Sequence, residues 1–63
     1  MADKIELKVG QVWEVKPGKG RRITRLYPFE IEWTPSFGML RTHFCLRDTF
    51  RAWVRRHNAR VQP

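Results

Sequence analysis

Alternating apolar and polar positions predict that most of this 63-residue chain forms β-strands. Residues 5–9 alternate between apolar and charged side chains, as expected of a half-buried strand. Gly10 breaks the alternation, because Val12 falls out of phase with Val9, and this predicts a bulge or bend. Residues 11–16 then resume as a strand rich in β-branched and aromatic residues.

Residues 17–20 have the composition of a tight turn and predict a β-hairpin. Pro17 presets φ for the second position of a turn, and glycine adopts positive φ without steric cost. The return strand is expected over residues 21–26, where Ile23 and Thr24 are its β-branched residues.

The clearest period of two runs through Phe29, Ile31 and Trp33, which alternate with Glu30 and Glu32. This alternation predicts a third strand with the three apolar residues on one face. The two glutamates are then expected on a solvated face.

A fourth strand is predicted over residues 39–46, after a second turn at 34–38. Its apolar residues share one face: Leu40, Phe44 and Leu46. The residues of opposite parity are expected on the other face: Arg41, His43 and Cys45.

Helical spacing replaces alternation towards the C-terminus and predicts a helix over residues 48–57. Asp48 is expected as the N-cap, because a short side-chain oxygen satisfies a free backbone N–H there. The residues at positions i, i+3, i+4 and i+7 are Phe50, Trp53, Val54 and His57. Asn58 suits a left-handed C-terminal position, and residues 59–61 are expected to form one last short strand.

These elements predict a mainly β fold with one short helix, in a single domain covering residues 1–63 with 1–4 and 62–63 frayed. The expected architecture is a small antiparallel barrel or a strongly bent sheet of four to five strands. Over residues 8–46 the chain resembles SH3-like barrels, including small uncharacterised bacterial and prophage proteins. The resemblance implies a fold and no particular chemistry, and it rests on the glycine turn, Arg22-Ile23-Thr24 and Lys8-Val9-Gly10-Gln11-Val12-Trp13-Glu14-Val15.

Charge adds an expectation about the partner. The formal net charge is +7, and six arginines against Asp48 alone lie after residue 40. The planar guanidinium suits phosphate and carboxylate groups, so the chain is expected to bind an anionic partner.

Nucleic acid, either DNA or RNA, is the favoured partner, bound through phosphates by a hairpin tip and an arginine-rich helix. The hairpin residues are Lys16, Lys19, Arg21 and Arg22, and the helical residues are Arg47, Arg51, Arg55 and Arg56. A charge that merely keeps the protein soluble is the competing interpretation.

Two other hypotheses remain open. One is a protein-interaction module or small regulator, phage-encoded in one version, that docks on an acidic protein. It would use an apolar patch of Tyr27, Phe29 and Phe37, with Trp33 beside it. The other is a homodimer, because a domain of this size buries only about 60% of its unfolded surface.

Catalysis, cofactors and metals are not expected. His43, Cys45 and His57 are the only soft ligands, and they lack the spacing of a zinc site or of a catalytic Cys-His pair. The glycine turn also lacks the phosphate-loop pattern. A single cysteine and the lack of a signal peptide or long apolar run predict a cytoplasmic protein without a membrane span.

Overall fold

A computed structural model describes residues 5–37 and 41–62 and contains a five-stranded antiparallel sheet with one helix. Four strands form a meander, and the fifth returns to pair with the first, so the sheet order is β4-β3-β2-β1-β5. This architecture confirms the predicted fold class and is consistent with a β-dominant SH3-like fold. The elements are β1 (Val12–Lys16), β2 (Lys19–Leu26), β3 (Glu30–Pro35), β4 (His43–Leu46), α1 (Arg47–His57) and β5 (Arg60–Val61).

The core lies where α1 crosses one face of the sheet. Its centre consists of Ile23 of β2, Ile31 of β3 and Phe50 of α1, which are fully buried. Each such side chain contributes roughly 1.5–3 kcal/mol by leaving water. Leu7, Trp13, Val54 and Ala59 complete the buried cluster.

The β1–β2 hairpin turns more tightly than the sequence predicts. Only Pro17 and Gly18 lie outside the strands, and Gly18 has φ +82°. Positive φ at the third position of a turn, directly after a proline, is typical of a type II turn. Gly20, expected in the turn, instead lies in β2 opposite Glu14, where a Cβ atom would collide with the Trp13 carbonyl oxygen.

The predicted strand over residues 5–9 is wrong, because this segment folds against the Gln11 side chain instead. The Gln11 amide accepts from the Lys8 backbone N–H at 2.8 Å and donates to the Glu6 carbonyl at 3.1 Å. The predicted bend at Gly10 is confirmed by its φ of +95°. Leu7 still reaches the core.

Phe29 does not belong to the predicted third strand, but its side chain is 79% exposed, as the predicted apolar patch required. Residue 29 belongs to a bend that the Tyr27 N–H closes by donating to the Glu30 carbonyl at 2.9 Å. The alternation of β3 therefore starts only at Glu30, and it places Ile31 and Trp33 towards the helix.

The structure shows which of the two predicted faces of β4 packs on the core. Phe44 and Leu46 are 57% and 54% exposed, whereas Cys45 packs against the core. The register explains this arrangement, because Cys45 lies opposite the buried Ile31 and directly paired residues share a face. Leu40, predicted on the face of Phe44 and Leu46, lies outside the described residues.

The helix begins one residue before the predicted start, and its N-cap is Leu46, without a side-chain cap. Asp48 is thus not the cap; it lies in the first turn, where its carboxylate accepts from Arg51 at 3.3 Å. The left-handed Asn58 (φ 52°) and the last short strand are confirmed. Gln62, expected to fray, donates its N–H to the Val12 carbonyl at 2.8 Å.

Substituting Gly20 tests the close contact between β1 and β2. We expect Gly20→Ala to lower the free energy of unfolding by about 1–3 kcal/mol, since a backbone carbonyl blocks the new methyl group. Gly18→Asn is the matched control, because the space there is open and asparagine tolerates positive φ. Urea unfolding followed by tryptophan fluorescence measures both, and equal losses would contradict the steric explanation.

Candidate nucleic-acid interface

The Arg21 side chain lies between two indole rings. Its guanidinium carbon is 4.1 Å from the ring centroid of Trp33 in β3 and 4.1 Å from that of Trp53 in α1. We call this arrangement the arginine sandwich. Each such cation–π contact contributes about 0.5–2 kcal/mol, with the larger values in desolvated places. Arg21 therefore links β2 to both the neighbouring strand and the helix.

Two histidines extend the arginine sandwich at either end. The His43 ring stacks on Trp33 with centroids 4.4 Å apart and planes at 17°. Because Arg21 occupies one face of Trp33 at nearly the same distance, His43 covers the other face. His57 lies 5.9 Å from Trp53 in a tilted geometry. Planar groups thus follow one another across the sheet–helix boundary, with exposed imidazoles at both ends.

Burial changes the ionisation of two groups here. It lowers the pKa of Arg21, partly offset by the charge of a Cys45 thiolate. The guanidinium remains charged at neutral pH, because the ordinary pKa of arginine lies far above neutrality. Burial likewise raises the pKa of the Cys45 thiol, partly opposed by the Trp33 indole N–H and by Arg21. The raised pKa favours the neutral thiol, which is the less nucleophilic form.

Two helical arginines of the predicted interface also make contacts within the fold. Arg47 donates from Nε to the Tyr27 carbonyl at 2.7 Å, which fixes the bend before β3. Arg51 donates from Nε to the Ile5 carbonyl at 3.2 Å and pairs with Asp48, which ties the N-terminal segment to α1. Like Arg21, both are half-buried, so their guanidinium groups are engaged before any partner arrives.

The other five predicted residues are exposed and have no acidic partner among the described residues. Two lie on the hairpin, where Lys16 and Lys19 are directly paired across the strands. Arg22 lies on the face of β2 opposite to Arg21. The remaining two belong to the last turn of α1, which carries Arg55 and Arg56.

A groove of about 490 Å³ connects the hairpin to the end of the helix. We call it the basic groove. Lys16 contributes one wall, His57 and Asn58 of the helix end contribute another, and Arg60 of β5 completes it. Glu14, which pairs with Arg60 across the strands, is its acidic residue. Lys16 is the predicted cation that lines this groove, beside Arg60, and His57 connects the groove to the last turn of α1, which carries Arg55 and Arg56.

Sequence reasoning missed Arg60 and His57 as members of this surface. His57 directly follows Arg55 and Arg56, but its spacing assigned it to the face of Phe50, Trp53 and Val54, and Arg60 stands apart from that cluster. The pairing of β5 with β1 brings both beside Lys16, and only the predicted short strand over 59–61 hinted at it.

The predicted apolar patch is divided in the structure. Tyr27 and Phe29 lie near β4, where the Tyr27 ring is 6.5 Å from that of Phe44. Phe37 is exposed at a different place, beside Gly18 and Lys19 of the hairpin. Trp33 is half-buried in the arginine sandwich.

Within residues 5–37 and 41–62, no group of three or more His, Cys, Asp or Glu side chains is placed to hold a metal ion. In the same part of the chain, no helix has the length and apolar character needed to cross a membrane. No family model, curated protein or solved structure matches the chain.

Replacing Arg21 tests whether the arginine sandwich holds the helix on the sheet. Arg21→Ala is expected to lower the free energy of unfolding by about 2 kcal/mol, because two indoles lose their shared cation and a gap opens. The free energy of unfolding of Arg21→Lys should fall between those of Arg21→Ala and the parent protein, since an ammonium keeps the charge but cannot lie flat between rings. Denaturant unfolding monitored by tryptophan emission measures each change.

The neighbouring Arg22→Ala is the matched control, because it removes the same charge from the opposite face of β2. Its unfolding free energy should stay within about 0.5 kcal/mol of the parent protein. An Arg21→Ala protein as stable as the Arg22→Ala protein would refute a structural role for the sandwich.

Proposed function

We propose that this protein is a small non-catalytic module that binds the phosphate backbone of nucleic acid at the basic groove. The groove carries the proposal, because it places Lys16 of the hairpin and Arg60 of β5 beside the end of the helix that bears Arg55 and Arg56. A single cysteine and a nucleic-acid partner both fit the cytoplasm, which we propose as its location.

The charges around the groove support an anionic ligand. Lys16 and Lys19 are direct cross-strand partners, and like charges in such pairs destabilise a hairpin. Arg55 and Arg56 close the last turn of α1, beside His57. These cations have no acidic partner among the described residues, so a phosphate would relieve repulsion that the free protein retains.

The same geometry narrows the set of residues proposed to contact phosphate. Arg21, Arg47 and Arg51 hold the fold together and are proposed to act only through it. The proposed contacts come from the exposed cations, which are Lys16, Lys19, Arg22, Arg55, Arg56 and Arg60.

An acidic protein is the second candidate partner, since carboxylates suit the same cations. The exposed apolar side chains Phe29 and Phe37 favour it, because large exposed rings often mark protein interfaces. Partners captured from lysate distinguish the two. Capture that survives nuclease treatment supports a protein, and capture lost with the nucleic acid supports the first candidate.

Neutralising the basic groove should weaken binding and its salt dependence together. We expect Lys16→Gln with Arg60→Gln to reduce affinity for labelled nucleic acid at least tenfold at low salt. The slope of log K against log salt should fall by about 1.8 for duplex DNA or about 1.4 for single strands, since two phosphate contacts are lost. Fluorescence anisotropy at several salt concentrations measures both quantities.

Lys8→Gln with Arg41→Gln is the control, because it removes two exposed charges remote from the basic groove. It should leave the salt slope unchanged. Equal effects of the two pairs would place binding elsewhere, and a parent protein without saturable binding to DNA or RNA at low salt would refute the function.

A further inference from the structure

The strand β4 forms one edge of the sheet. Among the described residues its only strand neighbour is β3, and its four residues carry no formally charged side chain at neutral pH. Sheet edges are commonly protected by lysine, proline or a bulge, because a free edge pairs readily with another strand. The opposite edge, β5, is two residues long and includes Arg60. Within the described residues, the sheet therefore has one edge, β5, that is short and charged, and one edge, β4, that lacks a charged residue.

Hydrogen bonding shows which groups of β4 face the free edge. The Arg47 N–H donates to the Phe29 carbonyl at 2.8 Å, and this pair continues the register in which Ile31 lies opposite Cys45. Hydrogen-bonded and non-bonded pairs alternate along antiparallel strands. Cys45 consequently bonds to β3, whereas the N–H and carbonyl of Phe44 point away from the sheet.

The outer face of this edge is apolar. Phe44 and Leu46 are more than half exposed on one side of β4, and Tyr27 and Phe29 lie beside them. A groove of about 390 Å³ adjoins the end of the strand, where Pro28, Phe29 and Leu46 meet the charged residues Arg47, Asp48 and Arg51 of the first helical turn. Apolar side chains and unpaired backbone groups at the same place are characteristic of an edge that accepts another strand.

We propose that a second copy of this chain pairs its β4 with this edge, antiparallel and about a two-fold axis at Phe44. The two sheets would then form one continuous ten-stranded sheet. Phe44 of each copy would donate its N–H to the carbonyl of the other, and their rings would pack on the outer face.

Charge favours a second copy at this edge over any other part of the surface. The molecule carries +7, so copies repel wherever cations face each other, but β4 itself is neutral. Antiparallel pairing also brings the start of one strand beside the end of the other. Arg41 precedes β4 and Glu30 pairs with its last residue, and neither has an ionic partner among the described residues. The two-fold axis places Arg41 of one copy two strands from Glu30 of the other, roughly 10 Å away, so their attraction is a weak, long-range one.

Backbone geometry sets the position of the axis. Leu46 is the N-cap of α1, so its carbonyl accepts the first bond of the helix and is not free for a partner. Phe44 offers both backbone groups. Pairing Phe44 with its own counterpart uses both, and it leaves the Leu46 N–H for the partner's residue 42.

Sedimentation equilibrium over a range of concentrations tests the dimer. After nuclease treatment, the protein is expected to associate reversibly to a dimer, and more tightly at high salt because screening weakens the repulsion. Association bridged by nucleic acid would instead weaken with salt. A monomer at every concentration and salt overturns the proposal and leaves the apolar edge to a different partner.

Phe44→Lys is expected to weaken dimerisation by about 100-fold or more, because both copies lose the central ring and gain a charge. Val9→Lys is the matched control, since Val9 is 60% exposed against 57% for Phe44 and lies away from β4. It adds the same charge and should dimerise nearly as the parent does. Circular dichroism should show both variants folded, and equal weakening of the two would overturn the assigned surface.

Single cysteines in a Cys45→Ser background test the position of the axis. Phe44→Cys should form an intermolecular disulfide with an added oxidant, because paired Cα atoms lie about 5.5 Å apart. Leu46→Cys should not, since its counterpart would lie four residues along the strand, roughly 14 Å away. Cross-linking of Leu46→Cys in place of Phe44→Cys would overturn the register.

Discussion

A single guanidinium, that of Arg21, fixes how the helix lies on the sheet. It projects from β2 between an indole of β3 and an indole of α1, at 4.1 Å from each ring centroid. Because the guanidinium and the two indoles are flat and in van der Waals contact, they fix the distance between the helix and the sheet. The fully buried Phe50 lies next to this stack, at a centroid distance of 5.3 Å from Trp53. In a chain with one cysteine, this contact does part of the work that a disulfide does in other small domains.

The arginines divide into those that build the molecule and those left at its surface. Arg21, Arg47 and Arg51 each satisfy a group that would otherwise be unpaired: two indole faces, the Tyr27 carbonyl and the Ile5 carbonyl. A formal charge counts both classes alike, so it overstates the cations available to a partner. The exposed cations that remain are concentrated at the basic groove and are nearly absent from β4. The two proposed surfaces therefore differ in chemistry as well as position.

Local rules predicted the parts of the fold that depend on neighbours in the sequence. The proline–glycine hairpin, the bend at Gly10 and the left-handed Asn58 follow from φ preferences alone. Alternation separated the two faces of β4 but did not show which one packs on the core, because that is set across the sheet by the buried Ile31. Two roles were not visible at all. The Gln11 amide forms hydrogen bonds with the backbone of Lys8 and Glu6 in place of strand pairing. Arg21 behaves as a core residue despite its charge. Both roles depend on partners distant in sequence or space. For the same reason the sequence predicted two basic regions but not that Arg60 would lie beside Lys16.

The pairing of β5 with β1 has a consequence for synthesis. Trp13 and Glu14 pair with Val61 and Arg60, which the ribosome adds some fifty residues later. The N–H of Gln62 must also arrive before the Val12 carbonyl is satisfied. During translation the β1–β2 hairpin therefore emerges with an open side, and the sheet is completed only after this late segment has left the exit tunnel. A nascent chain that stalls before this late segment would leave the outer side of β1 exposed to proteases and chaperones. Only a chain translated through Gln62 can complete the sheet.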